Sequence, residues 1–259
     1  MSVTHEQKVQ MLENGYVHLS GIIEKERLDL AMRHINHSIG EAVDAAVSPS
    51  KPEKLKYQEI ANAPAITDLV EKTPVYSAVE CMLGTGNVNP VGGAQIALRY
   101  PILNNPEPLP VPHPHLDGMH TPTNGVKKGT IGNFTALVGI FLSDVPDDYC
   151  GNFTVWPGTH RINEQYFKKH GPESLLNGMP DVEMPKPNQI TAKAGDVVIC
   201  HYLLAHGVAL NLSPNIRYAL FFRIFHKDLG NWTHRTNWQA PMTDMWLHWP
   251  GIREMIKTD

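Results

Sequence analysis

Residues 195–223 read GDVVICHYLLAHGVALNLSPNIRYALFFR, and their punctuation decides the fold class. Gly195-Asp196 signals a turn, and Val197–His201 is an apolar run of strand length, as expected of a buried strand. Asn211–Asn215, NLSPN, is a turn between two further strands, Gly207–Leu210 and Arg217–Phe225. Working outward toward the N-terminus, similar short runs stand at Ala94–Tyr100, Phe134–Leu142 and Asn152–Trp156, divided by Pro, Gly, Asn and Asp clusters. Several short strands at such spacing predict a sandwich or barrel.

The flanks have a different character. Residues 4–14 predict a short helix closed by Gly15, and Tyr16–Leu19 alternates as a strand does. Glu24–Ile39 carries Leu28, Ala31, Met32, Ile35 and Ile39 on one stripe, the pattern of an amphipathic helix. Ala65–Leu83 is helical in pattern but broken by Pro74, and Gly84–Gly93 is rich in turn formers. Tyr166–Asn188 is polar and Pro-rich, the composition of a surface excursion, and Trp232–Trp249 holds four of the five tryptophans. The expected architecture is mainly β with flanking α. A mostly helical layer over 1–93, a β core over 94–226 and a tail over 227–259 make one domain spanning 1–259.

Composition narrows the function. Acidic residues exceed basic ones by 26 to 22 with no Lys/Arg-rich run, which argues against nucleic acid or an anionic membrane as partner. No apolar stretch approaches the ~20 residues needed to span a bilayer. The opening MSVTHEQKVQ lacks the pattern of a signal peptide. Cys81, Cys150 and Cys200 are widely spaced and odd in number, which points to a reducing compartment, so the expected location is cytoplasmic.

Two places carry chemistry. In His115-Leu116-Asp117, an imidazole and a carboxylate two residues apart share one face if the segment is extended, and can bind one metal ion together. H-x-D arises often by chance, and the ordinary reading is a loop histidine and a turn-capping aspartate before Gly118. The second place is the 195–223 segment. Folding a hairpin about residues 211–212 sets His206 opposite Arg217, within reach of a shared site. A buried structural histidine and a surface ion pair are the ordinary alternatives. Taken together, two histidines and one carboxylate with open positions left over form the facial triad of non-haem Fe(II) oxygenases. The arginine fork suits a bidentate carboxylate. Zinc is disfavoured, because no H-E-x-x-H helix is present.

These residues resemble the phytanoyl-CoA dioxygenase (PhyH) family of Fe(II)/2-oxoglutarate-dependent oxygenases over most of the chain. HEQKVQMLENGYVHLSGII at 5–23 resembles the family's opening, and HLD at 115–117 its proximal iron motif. Gly151–His160, GNFTVWPGTH, resembles its Pro-Gly-Ser-His signature, and Gly207, Asn211 and Arg217 follow His206 in the order and spacing of its distal motif. Departures are Val208 for a frequent Ser, Cys150-Gly151 for Asn-Gly, and Thr159 for Ser. The resemblance implies a double-stranded β-helix (jelly-roll, cupin-like) core with N-terminal helices. It implies iron ligation by His115, Asp117 and His206, and pairing of Arg217 with the distal carboxylate of 2-oxoglutarate. It also suggests Arg99 and Asn133 as weaker co-substrate contacts. The implied reaction hydroxylates a small-molecule substrate with O2, releasing succinate and CO2. A metal-dependent hydrolase on a similar barrel and a non-catalytic cupin-like binding module are the alternatives. Of the nearby histidines, His113 could replace His115, but only His115 has a carboxylate at +2. His160 is expected to order the loop after Pro157-Gly158, and His201 to be core. Trp156, Trp232 and Trp238 are possible pocket walls. Sequence leaves the substrate and the oligomeric state open.

Overall fold

A capping box starts the first helix, α1 (His5–Asn14). The Gln7 amide donates to the Thr4 hydroxyl at 3.2 Å and the Thr4 amide to the Gln7 side chain at 2.9 Å. Gly15 closes it in the left-handed region (φ 80°), and strand β1 (Tyr16–Leu19) follows at once. The computed structural model describes residues 2–47, 60–122, 124–230 and 237–256. Helix α2 (Lys25–Val47) runs well past the predicted stripe. The predicted break at Pro74 divides α3 (Pro64–Glu71) from α4 (Pro74–Leu83): Thr73 caps α4, and Pro74 takes the first helical position, where its missing N–H is not needed.

The strands that follow are β2 (Ala94–Arg99), β3 (Ala136–Phe141), β4 (Phe153–Val155), β5 (Asn188–Gln189), β6 (Val197–His201), β7 (His206–Val208) and β8 (Arg217–Ile224). They form two antiparallel sheets, ordered β1-β6-β3-β8-β2 and β5-β4-β7. Every residue of the central β3 is buried, so both faces of the larger sheet are covered. On the outer side the Tyr218 hydroxyl donates to Asn36 of α2 at 3.0 Å. On the inner side Phe221 of β8 meets Phe153 of β4, with ring centroids 4.9 Å apart, which joins the two sheets face to face. This is a jelly-roll core with flanking helices, as expected.

Two readings need correction, and the tail adds a third finding. First, His206 and Arg217 are not hairpin partners: β7 joins the small sheet, with His206 opposite Val155, and β8 joins the large one, with Arg217 opposite Arg99. A turn that passes between two facing sheets looks, in sequence, like a hairpin turn. Second, the segment after Pro157-Gly158 is not a loop but α5 (Thr159–His170), so His160 sits in a helix. The stretch from Tyr166 is only partly a surface excursion, since Phe167 and Leu175 are fully buried. Third, the tail packs into the fold. After α6 (Ala240–Thr243), the buried Trp246 and Trp249 flank His201, and α7 (Pro250–Ile256) lies so close to α4 that a side chain on Gly251 would strike the Cys81 carbonyl. Trp232 falls outside the described residues.

Candidate metal site

His115 reaches the site by backbone pairing with His206. The His115 amide donates to the His206 carbonyl at 2.8 Å and the His206 amide returns a bond at 3.0 Å. This isolated bridge replaces the strand expected for residues 115–117. Gly207 makes the approach possible, because a Cβ there would collide with the His113 carbonyl oxygen. Beyond Asp117 the chain turns at Gly118 (φ 102°), whose carbonyl accepts from the Gly132 amide at 2.8 Å.

The bridge brings three donors together. The nearest ligand atoms of His115, Asp117 and His206 lie within 4.8 Å of one another, the one group of three such side chains among the described residues that could hold a metal ion. Asp117 Oδ1 stands 3.7 Å from His115 Nε2 and 3.9 Å from His206 Nε2. His113, the competing candidate, is not in the group. Two imidazoles and a carboxylate fit a non-haem Fe(II) ion, and inward movement of under about 1 Å would bring the donors to the spacing of ligands ~2.1 Å from a common centre.

Hydrogen bonding, burial and charge act on the three side chains. His206 Nδ1 lies 3.1 Å from the Leu204 carbonyl, an acceptor only, so the proton sits on Nδ1 and the Nε2 lone pair faces Asp117. Burial, and then the charge His206 would carry, push His115 down to about 4, so it is neutral at pH 7. Burial alone would raise Asp117, but His206, Arg223 and His115 outweigh it and hold the carboxyl below its usual range.

Arg217 is 2 % exposed. Its Nε donates to the Gly151 carbonyl at 2.8 Å and one Nη to the Ala97 carbonyl at 2.9 Å. No carboxylate is within ion-pair distance of it among the described residues, and burial and the Arg99 charge both disfavour its charged form. Arg99 is its register partner on β2 and is exposed. Asn133 is fully buried, and its amide donates to the Trp238 carbonyl at 2.8 Å.

Two residues at the site were not foreseen from sequence. Arg223 donates from Nε and Nη2 to Asp117 Oδ2 at 3.1 and 2.8 Å, and the Tyr202 hydroxyl donates to the Asp117 backbone carbonyl at 3.1 Å. The one available signal was parity, since Arg223 lies six residues beyond Arg217 on the same strand face. Three other histidines near the motifs are held by backbone groups. His201 Nε2 donates to the Met245 carbonyl at 2.8 Å while its Nδ1 accepts from the Leu203 amide at 3.0 Å. His160 faces the Leu12 carbonyl at 3.2 Å. His120 Nδ1 faces the Val126 carbonyl at 2.6 Å.

Comparison with known proteins agrees with this architecture. The sequence model described as phytanoyl-CoA dioxygenase (PhyH) matches residues 11–219. Among solved structures, the non-haem α-ketoglutarate-dependent carbocyclase SnoK from nogalamycin biosynthesis is 18 % identical, with a TM-score of 0.56 over 87 % of this chain and 85 % of its own. HygX from Streptomyces hygroscopicus, solved with nickel and 2-oxoglutarate, is 16 % identical, with a TM-score of 0.54 over 86 % of this chain and 87 % of its own. EctD from S. alaskensis, solved with 2-oxoglutarate and 5-hydroxyectoine, is 15 % identical, with a TM-score of 0.54 over 86 % and 76 %. At such identities the likeness establishes a shared fold. No curated protein matches the chain.

Proposed function

The chain belongs to the phytanoyl-CoA dioxygenase (PhyH) family, and on that premise we propose that it is an Fe(II)- and 2-oxoglutarate-dependent dioxygenase hydroxylating an unactivated C–H of a small-molecule metabolite. The observation that carries the reading is the convergence of His115, Asp117 and His206 on one point. These three would hold the iron. Bound Fe(II), with 2-oxoglutarate and O2, supplies the oxidising chemistry, and the co-substrate leaves as succinate and CO2. The chain's own residues orient and shelter that chemistry. Leu204 fixes the His206 tautomer, and burial keeps His115 neutral. Arg217 receives the distal carboxylate of 2-oxoglutarate, with Arg99 and Asn133 as lesser contacts. Phe153, whose ring centroid lies 5.5 Å from that of His206, and Phe221 behind it give the His206 side of the site an apolar wall.

A small metabolite is favoured as substrate because no basic cluster offers a site for a larger phosphorylated carrier. No helix among the described residues is long and apolar enough to cross a membrane. The test is a screen of small metabolites for succinate release with Fe(II) and 2-oxoglutarate under air, with product mass as second readout. A substrate-dependent burst of succinate with a product heavier by one oxygen is expected. Turnover that needs neither O2 nor 2-oxoglutarate would replace the reading with a hydrolase. Failure of the protein to bind Fe(II) would leave a binding module.

A further inference from the structure

Asp117 is held at both ends. Its backbone carbonyl accepts from the Tyr202 hydroxyl at 3.1 Å, and its Oδ2 accepts from Arg223 Nε at 3.1 Å and Nη2 at 2.8 Å. Arg223 is itself fixed. Its Nη2 also donates to Gln95 Oε1 at 3.2 Å, and its guanidinium lies 5.7 Å from the centroid of the buried Phe134 ring. Both Arg223 donors converge on one oxygen, while the other, Oδ1, faces the two histidine nitrogens at 3.7 and 3.9 Å. The carboxylate is therefore divided, with one oxygen committed to the protein and one presented to the site. A cation beside a site for a dication opposes metal binding by charge alone, so its placement calls for a geometric explanation.

We propose that Arg223 is a positioning residue that makes Asp117 a one-oxygen ligand, so that the carboxylate cannot turn and occupy a second metal position. The inference rests on the reading of Asp117 as a ligand. On an octahedral ion, two histidines and one oxygen would fill three of six positions, which would leave two for a chelating co-substrate and one more open. A carboxylate binding through both oxygens would take one of these. Partners behind a ligand commonly decide such choices, and losing one typically costs 10- to 100-fold in affinity or activity.

The experiment loads the apoprotein with Co(II), whose visible absorption reports coordination number, and compares Arg223→Gln, Arg223→Lys and Asp117→Asn with the parent. Arg223→Gln is expected to change the Co(II) spectrum before any 2-oxoglutarate is added, and to weaken 2-oxoglutarate binding to the Co(II) protein by about tenfold or more. Arg223→Lys keeps the charge but offers no pair of parallel N–H donors, so it should recover part of the affinity and not the parent spectrum. A parent spectrum from either Arg223 variant would overturn the proposal. So would a lowered Tm with unchanged spectrum and affinity, which would make Arg223 merely structural. Asp117→Asn separates the two levels of the argument. If it binds Co(II) like the parent, the ligand assignment itself fails. If it loses Co(II) while the Arg223 variants match the parent, only the present inference fails.

Discussion

Arg217 and Arg223 occupy the same strand and the same face, yet they are partnered in opposite ways. Arg223 meets a carboxylate of its own chain, and its charge is answered when the protein folds. Arg217 is more deeply buried, and among the described residues its hydrogen-bond partners are two backbone carbonyls. A buried guanidinium without an anion is costly to maintain, and proteins retain such groups where a ligand completes the pair. The two ends of β8 thus differ in where the anion comes from. At one end it is internal and serves geometry. At the other, on the proposed reading, it is the distal carboxylate of 2-oxoglutarate. Residue type, parity and strand are shared, so only the three-dimensional neighbours separate an anchor for a ligand from a brace for the protein.

The largest effect that could break this contrast is at Arg217. Arg217→Ala is expected to raise the Kd for 2-oxoglutarate, measured by calorimetry on the Co(II)-loaded protein, by at least about 30-fold, because a buried charge pair loses one member. It should leave the Co(II) spectrum untouched in the absence of 2-oxoglutarate, the reverse of the expected Arg223→Gln result. It should also lower the Tm, since the Gly151 and Ala97 carbonyls lose their donors. Unchanged 2-oxoglutarate affinity would return Arg217 to a purely structural role. A smaller effect is expected from Tyr202→Phe, which frees the other end of Asp117. Loss of one hydrogen bond, about 1 kcal/mol, corresponds to a fall of about 2–4 °C in Tm. The Co(II) spectrum should stay close to the parent's, because the Arg223 grip persists; a shift as large as that of Arg223→Gln would mean the backbone contact governs the carboxylate. The smallest effect is expected at Arg99. It is exposed, so Arg99→Gln should weaken 2-oxoglutarate binding about two- to threefold and by less at high salt. A loss matching Arg217→Ala would make the register pair, rather than Arg217, the anchor.

Much of this architecture was legible in the sequence where burial is apolar. Val197–His201 is a run of consecutive buried residues, and the strand has those bounds in the structure. The break at Pro74 was legible because proline acts locally. α5 was not, and the reason is physical: its buried face is largely polar. Thr159 accepts from the Ala205 amide at 2.9 Å, Asn163 donates to the Leu203 carbonyl at 2.9 Å, and Glu164 accepts from the Met245 amide at 3.0 Å. A helix whose inner side serves the backbone of neighbouring loops shows no apolar stripe. At the site, His115, Asp117 and His206 could be picked out by residue type and resemblance, and the fold brings them together. The grip of Arg223 on Asp117 spans 106 residues, and no local pattern encodes such a pairing. The separation of His206 from Arg217 into facing sheets was equally hidden, because Asn211–Asn215 has the composition of any tight turn.

The two hydrogen bonds that pair His115 with His206 also bear on how the site can come apart. Each residue's amide is bonded to the other's carbonyl, so the segment carrying His115 cannot peel from β7 without breaking both at once. Local opening there is a single event that exposes both amide hydrogens together. Their exchange with solvent deuterium should follow one common rate, and a metal held between the two side chains should slow that rate at both amides. Release of an ion to a chelator then has two separable routes. One is escape from an intact cradle, which exposes neither amide as the ion leaves. The other is unzipping of the rung, which would tie the rate of metal loss to the rate of exchange.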